Sequence, residues 1–397
     1  MTHRRRPSSP SPGPAHPLED DDLLHEILLR LPAQPPYLLR ASLVSKRWRR
    51  LATDPKFLGR FRLHHRKPPL LGVFSGSRRI SFRSTLDPPY RIPPERFSSR
   101  FDGPLGWTCL DCRHGRVLFD YRGLHQVVIW DPITDDYRLM SNTPRFQGPG
   151  KVVQRRGAVL CADGDQGHAH GACHSSPFNV AVLGIYEDDY FGDDDAIAYA
   201  SVYSSETDTW CALLSTAFPR RGIGNISQSS TLVGNTLHWS SSYGILELDL
   251  HTQKLAVVER PPCVDYTYSA LTIQAEDGGL GFAALSCTPI HQTCDTCLQI
   301  WEREADSYGV ATWVLRKTAE LQKILGLGFK IDKVTMKHYA EDVNAIFLWV
   351  DSVVYMVQLG SMKSQELFRD DLCSTIRPFT SFYTEGKCLL ILTTLDY

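Results

Sequence analysis

From residue 115 to residue 368 the chain repeats one pattern. A run of β-branched and aromatic residues is followed by a turn rich in Asp, Asn, Gly or Ser, and then by a second run. "GRVLFDYRGLHQVVIWDPITDDYRLM", "AIAYASVYSSETDTWCALL", "STLVGNTLHWSSSYGILELDLHTQKLAVVERPP", "LQIWEREADSYGVATWVLRK" and "VNAIFLWVDSVVYMVQLGSMKSQELF" all have it. Each reads as a hairpin, because such side chains fit a pleated surface and the turn residues punctuate it. A looser repeat lies inside these runs: a strand ends near an aromatic or acidic residue, a turn of Asp, Thr and Ser follows, and a strand returns, as in "IWDPITDDYRL", "VYSSETDTWCAL", "LDLHTQKLAVV" and "QLGSMKSQELF". About two dozen candidate strands, grouped in fours at roughly 45 residues per unit, predict a propeller-like ring of six to eight divergent blades. A single closed sandwich would struggle to use so long a chain. Blade signatures are sparse: Trp130-Asp131 resembles one ending, and Gly278-Gly279 resembles the paired Gly of another.

This pattern stops abruptly on its N-terminal side. In "HHRKPPLLGVF" Pro68 and Pro69 break helix and strand-like sequence begins. Charge changes at the same place: residues 1–67 carry 14 Lys and Arg against 6 Asp and Glu, a balance of +8, and the remainder carries 29 against 38, or −9. The chain therefore reads as a basic module, residues 18–67, followed by a mildly acidic β domain, residues 68–397. The first 17 residues, positively charged but rich in Ser and Pro, read as a disordered tail and not as a signal peptide. The formal net charge of −1 argues against a protein that coats nucleic acid. No window approaches the roughly 20 apolar residues of a membrane span; "AIFLWVDSVVYMVQL" is interrupted by Asp351. Eleven cysteines, an odd number without regular spacing, read as reduced thiols of a cytoplasmic or nuclear protein.

Within the module, Leu23, Leu24, Ile27, Leu28 and Leu31 recur with helical spacing, behind acidic residues that suit a helix start. Pro32 stops that helix. "PPYLLRASLVSKRWRRLA" reads as a second helical stretch, with Leu38, Leu39, Leu43, Val44, Trp48 and Leu51 apolar, and "KFLGRFRLHH" as a third. Three short helices make a meagre core and leave apolar surface for a partner. Lys46, Arg47, Arg49 and Arg50 surround Trp48 and spread around the helix, so they do not line one groove face for nucleic acid.

"LEDDDLLHEILLRLP…LLRASLVSKRWRRLATDPKFL", residues 18–58, resembles an F-box. The match departs from the usual pattern at its opening, where acidic residues replace Leu-Pro. The resemblance implies docking to a Skp-type adaptor, and through it to cullin and RING subunits, by Leu23, Leu24, Ile27, Leu28, Leu31, Leu39, Val44 and Trp48. "DCRHGRVLF", "HAHGACHSSPF", "LVGNTLHW…GILELDL" and "LQIWERE…GVATWVLRKTAEL" resemble the C-terminal domain of a large family of plant F-box proteins best known from grasses. Overall this is an α+β chain: a small three-helix F-box, then a mainly β, propeller-like domain.

No catalytic signature appears: no Gly-x-Ser-x-Gly, no His-Glu-x-x-His, no phosphate-binding loop. The resemblance therefore implies a non-catalytic substrate receptor of an SCF-type ubiquitin ligase, without a cofactor. A scaffold or adaptor competitor acting outside a ligase, and a propeller hydrolase with convergent carboxylates in its channel, are the rival readings. Target binding is expected on three long loops, with Asp193, Asp194 and Asp195 in "EDDYFGDDD", His168 and His170 in "GDQGHAHGACHSSP", and His291 in "TPIHQTCDTC". Two clusters carry residue types that ligate metals. Cys287, His291, Cys294 and Cys297 read as incidental thiols at a hairpin tip, and His168, His170, Cys173 and His174 as a Gly-rich loop before the strand at Phe178.

Overall fold

The structure is a computed structural model. It describes residues 18–382, except residue 19, 77–79, 99–105, 122–125, 141–150, 164–167, 172, 188–194, 220–225, 263–268, 289–294, 306 and 329. The chain divides into two compact units, one of Met1–Arg66 with Phe382–Tyr397, which holds the N-terminal helices, and a β unit from Lys67 to Ser381.

The helical unit contains α1 (Asp21–Leu29), α2 (Pro35–Val44), α3 (Lys46–Ala52) and α4 (Pro55–His65). What reads in sequence as one helix from Pro35 to Ala52 is two. Ser45 is extended (φ −162°, ψ 165°), and its hydroxyl accepts the Trp48 N–H at 3.2 Å, ending α2 and capping α3. Asp20 caps α1 by accepting from the Asp22 and Leu23 N–H groups, and Asp54 caps α4 by accepting from Phe57, with Pro55 at the first helical position. Leu24, Leu28, Leu38, Ala41, Leu51, Ala52, Phe57, Leu58 and Phe61 form the core, with Leu18, Leu31 and Trp48 packed against it.

The β unit is a six-bladed propeller. Blade 1 is β24 (Thr375–Thr380), β1 (Leu70–Gly76) and β2 (Ser81–Ser84), so the ring is closed by a strand from each end of the unit. Ser75 pairs with Ile376 and Val73 with Pro378, antiparallel. Blade 2 is β3 (Trp107–Arg113), β4 (Arg116–Tyr121), β5 (Gln126–Asp131) and β6 (Asp136–Met140). Blade 3 is β7 (Lys151–Cys161), β8 (Phe178–Glu187) and β9 (Asp195–Ser204); its outer edge is shared by β10 (Thr209–Trp210) and β11 (Leu214–Pro219), both paired to β9. Blade 4 is β12 (Thr231–Val233), β13 (Thr236–Ser240), β14 (Ile245–Asp249) and β15 (Lys254–Val258). Blade 5 is β16 (Ser269–Gln274), β17 (Leu280–Thr288), β18 (Asp295–Ala305) and β19 (Ala311–Glu320), followed by the short α5 (Leu321–Leu325). Blade 6 is β20 (Val334–Ala340), β21 (Ala345–Val350), β22 (Val353–Gln358) and β23 (Ser364–Arg369).

Apolar clusters run between successive blades all the way round. They join blades 2 and 3 through Leu118 and Val180, and 3 and 4 through Leu183 and Leu237. Ile245 and Phe282 join blades 4 and 5, Leu285 and Ile346 blades 5 and 6, and Val73 and Phe347 blades 6 and 1. Between blades 1 and 2 the contact is aromatic, with the Phe74 and Trp130 rings 5.8 Å apart edge to face, and Phe379, Phe82 and Phe97 packed edge to face behind them. The looser sequence repeat is the outer hairpin of blades 2, 3, 4 and 6. In each, one residue before the returning strand has positive φ: Asp135, Asp208, Gln253 and Met362. Asp131 and Asp249 start two of these turns by accepting from N–H groups two and three residues on. Asp351, which interrupts the most apolar stretch, is at a tight turn with Ser352, both at positive φ, joining β21 to β22.

Candidate functional site

On the helical unit, the residues expected to dock an adaptor separate into two groups. Leu24 and Leu28 are fully buried in the core, Leu39 is buried, and Leu31 and Trp48 are partly buried against the core. Leu23 (48% exposed), Ile27 (41%) and Val44 (62%) stand in solvent. Leu23 and Ile27 are four apart and so share one face of α1. Leu43 (52%) lies beside Val44 at the end of α2, and Tyr37 at its start is exposed as well. The sequence reading left these two off its site; their signal was their place in a helix too short to bury every apolar position.

The basic stretch around Trp48 works inside the unit. Arg47 donates through Nε to Asp21 at 2.8 Å and through Nη1 to the Leu18 carbonyl at 2.8 Å, clamping the start of α1. Arg49 reaches the Ser42 carbonyl, and Arg60 on α4 pairs with Glu26 at 2.9 Å. Exposed pairs of this kind contribute little individually, about 0–1 kcal/mol. Their effect is orientation: they hold α1 across α3 and α4.

The β unit has two ends. Inner strands β3, β7, β12, β16, β20 and β24 run from a first face to a second. On the first face lies a groove of about 410 Å³ bordered by Ser227, Ser241, Ser269, Arg260 and Lys337; burial lowers the Lys337 ammonium pKa. The β8–β9 and β17–β18 connections also leave from this face. Asp193 and Asp194 lie outside the described residues, and Asp195 begins β9. His291 and Cys294 also lie outside them; Cys287 is in β17, paired with Thr296, and Cys297 is in β18, paired with Ser286. Residues 383–397, assigned to the β domain in sequence, are likewise outside them.

The "GDQGHAHGACHSSP" loop is on the opposite, second face, between β7 and β8. The described strand ends that flank the three nominated segments therefore do not share one face. His168 and His170 are half-buried and turned toward Cys161 and Cys173, where their donor atoms can hold a metal. The sequence grouping is corrected in one member: His174 pairs instead with Asp131 at 2.5 Å, and Cys161, at the end of β7, takes its place.

Buried charge gathers where the inner strands meet. Arg113 on β3 donates to Asp111 at 3.2 Å, to the Ser230 carbonyl at 3.0 Å and to Glu341 at 3.0 Å. Asp111 also accepts the Val159 N–H and Glu341 the Leu232 N–H. Burial holds the Glu341 and Asp342 carboxyls above their ordinary range, and Asp342 accepts the Thr380 hydroxyl at 2.5 Å. Such carboxylates resemble an active site, but every one has a structural partner, and the cavity they border holds about 20 Å³. That is room for about one water. The cluster ties blades 1, 2, 3, 4 and 6 together.

Comparison with known proteins agrees with this architecture. Residues 20–59 match the F-box domain model, and residues 108–384 match the model described as "F-box protein AT5G49610-like, beta-propeller". F-box/LRR-repeat protein At2g43260 of Arabidopsis thaliana is 24% identical over 274 residues, covering 64% of this chain and 58% of that protein's length. The GH93 α-L-arabinofuranosidase of Fusarium graminearum has a TM-score of 0.36 at 12% identity, covering 76% of this chain and 85% of that one. TolB from Acinetobacter baumannii has a TM-score of 0.36 at 9% identity, covering 78% and 67%. With an N-terminal F-box and a six-bladed ring that the AT5G49610-like model matches nearly throughout, the chain belongs to the family of F-box proteins with an AT5G49610-like β-propeller.

Proposed function

We propose that the chain is a substrate-receptor subunit of an SCF-type ubiquitin ligase. One observation carries the reading. The helical unit completes its core with Leu24, Leu28 and Phe61 yet keeps Leu23, Ile27, Leu43 and Val44 in solvent. Apolar side chains left outside a finished core suit a partner's apolar groove or helix. The partner is a Skp-type adaptor, which connects the chain to cullin and RING subunits. The propeller holds a target protein, on the face that carries the groove and the β8–β9 and β17–β18 connections. The chain performs no bond chemistry of its own. It raises the local concentration of target lysines near the transfer site, a role supported by the buried carboxylates being tied to Arg113 and Thr380.

The test is co-purification of the full chain with a Skp-type adaptor. Ile27→Asp places a carboxylate in the interface without touching the core and is expected to abolish capture with helicity intact. Capture by this variant at the wild-type level refutes the docking surface. Reconstitution with cullin, RING and ubiquitin-loaded enzyme then separates a ligase receptor from a scaffold: ubiquitin transfer to co-purifying protein is expected, and its absence favours the scaffold.

A further inference from the structure

We propose that Cys161, His168, His170 and Cys173 form a structural zinc site on the second face of the propeller. Their four donor atoms all lie within 4.8 Å of one another. Cys161 Sγ is 3.3 Å from His168 Nε2, which is 3.1 Å from Cys173 Sγ, which is 3.7 Å from His170 Nδ1. A tetrahedral zinc, with bonds of about 2.3 Å to sulfur and about 2.0–2.1 Å to nitrogen, has ligand–ligand edges of about 3.3–3.8 Å. Two thiolates and two imidazoles are the donor set of closed, non-catalytic zinc centres, and soft sulfur excludes magnesium and calcium.

The surroundings are those of a built site. His168 Nδ1 is 3.1 Å from Asp163 Oδ2, which also accepts the Ser176 hydroxyl, so the ring is oriented with Nε2 free for a metal. Carboxylates behind ligand histidines serve this purpose in metal centres. The His170 ring stacks on His114, with centroids 3.8 Å apart and planes inclined by 14°. His114 Nδ1 accepts the Cys161 N–H at 3.0 Å. Gly171, at φ +93°, makes the turn that brings His170 and Cys173 to one point, and its carbonyl accepts the Ser381 hydroxyl at 2.8 Å. Arg116 donates to the Cys173 and Ser176 carbonyls. Strand β7, the second-face loop and blade 1 thus all converge on the ligands. Bound zinc would lock the loop against the propeller.

The test uses the full chain, purified without chelator and with a non-coordinating tag. Metal analysis is expected to give about one zinc per chain, and cobalt substitution the visible bands of a tetrahedral thiolate site. Cys173→Ser and His168→Asn should each lower zinc content at least tenfold and abolish the cobalt bands, while the far-ultraviolet spectrum stays β-rich. Cys211→Ser, in blade 3 but outside the cluster, should retain both. Cys161→Ser serves if Cys173→Ser fails to fold. Zinc below a tenth of an equivalent in folded wild type, equal zinc in wild type and ligand variants, or a Cys161–Cys173 disulfide in protein kept reduced would each overturn the proposal.

Discussion

Replacing Arg113 with Met should be among the most damaging single changes in the β unit. Arg113 is 7% exposed, and its guanidinium bridges Asp111 (3%), Glu341 (13%) and Ser230. Met keeps the length and apolar stem but removes the charge. Among the described residues, the two carboxylates are then left with the Val159 and Leu232 N–H groups for compensation. Removing one partner of a buried ion pair costs about 3–5 kcal/mol, because the remaining charge stays desolvated. The pH dependence has a definite sign. Burial already raises the folded-state pKa of Glu341, and Arg113 opposes that rise. Without Arg113 the carboxyl binds its proton still more tightly when folded than when unfolded. Stability of the variant should therefore fall as pH rises through the window between the unfolded and folded values, and recover as pH is lowered toward the ordinary glutamate range. Urea midpoints between pH 5 and pH 8 measure this, and the double variant Arg113→Met/Glu341→Gln should regain part of the loss with a flatter pH profile. A loss under about 1 kcal/mol, or no recovery in the double variant, would refute the view that this cluster is a structural tie.

Leu28→Ala, at a fully buried position, should cost about 2–5 kcal/mol, enough to melt a module with so small a core, whereas Ile27→Ala should shift stability by under about 0.5 kcal/mol; hydrogen exchange of α1 and α4 distinguishes the two. Cys109 and Cys112 should resist iodoacetamide at pH 8 until the protein is denatured, since burial pushes the Cys109 thiol up to about 12 and also raises the Cys112 thiol well above its ordinary value; labelling in the native state at the rate of half-buried Cys211 would contradict the packing of blade 2.

The propeller was legible because its information is local: each hairpin carries its own alternation and its own turn residue, Asp131 and Asp249 among them. Blade number was not, because blade 1 is assembled from strands some 300 residues apart and the outer edge of blade 3 is split between β10 and β11. The apolar stripe of α1 was plain, but its division was hidden. Leu24 and Leu28 face the core and Leu23 and Ile27 do not, and only the placement of α4 decides which. Ser45 escaped notice because an N-cap serine inside an apolar periodic run looks like any polar helix position until the backbone is seen to extend there. The histidine-rich loop was singled out with the wrong fourth member. Cys161 is seven residues before His168, at the end of a strand, and it is the antiparallel return of β8 that folds the loop back onto it.

Closing the ring with β24 makes the timing of synthesis part of the design. Helices α1 to α4 have all been made once residue 66 has emerged, while β1 has no inner partner until residue 380 follows. At about 5–20 residues per second that interval is roughly 15–60 s. During it the nascent chain carries a finished docking module beside an open ring with a bare strand edge, which invites wrong pairing. A message cut short before residue 375 would, on the proposed reading, make a polypeptide able to occupy the adaptor while offering no finished receptor. Such a truncation would act as a dominant inhibitor and not as a simple loss.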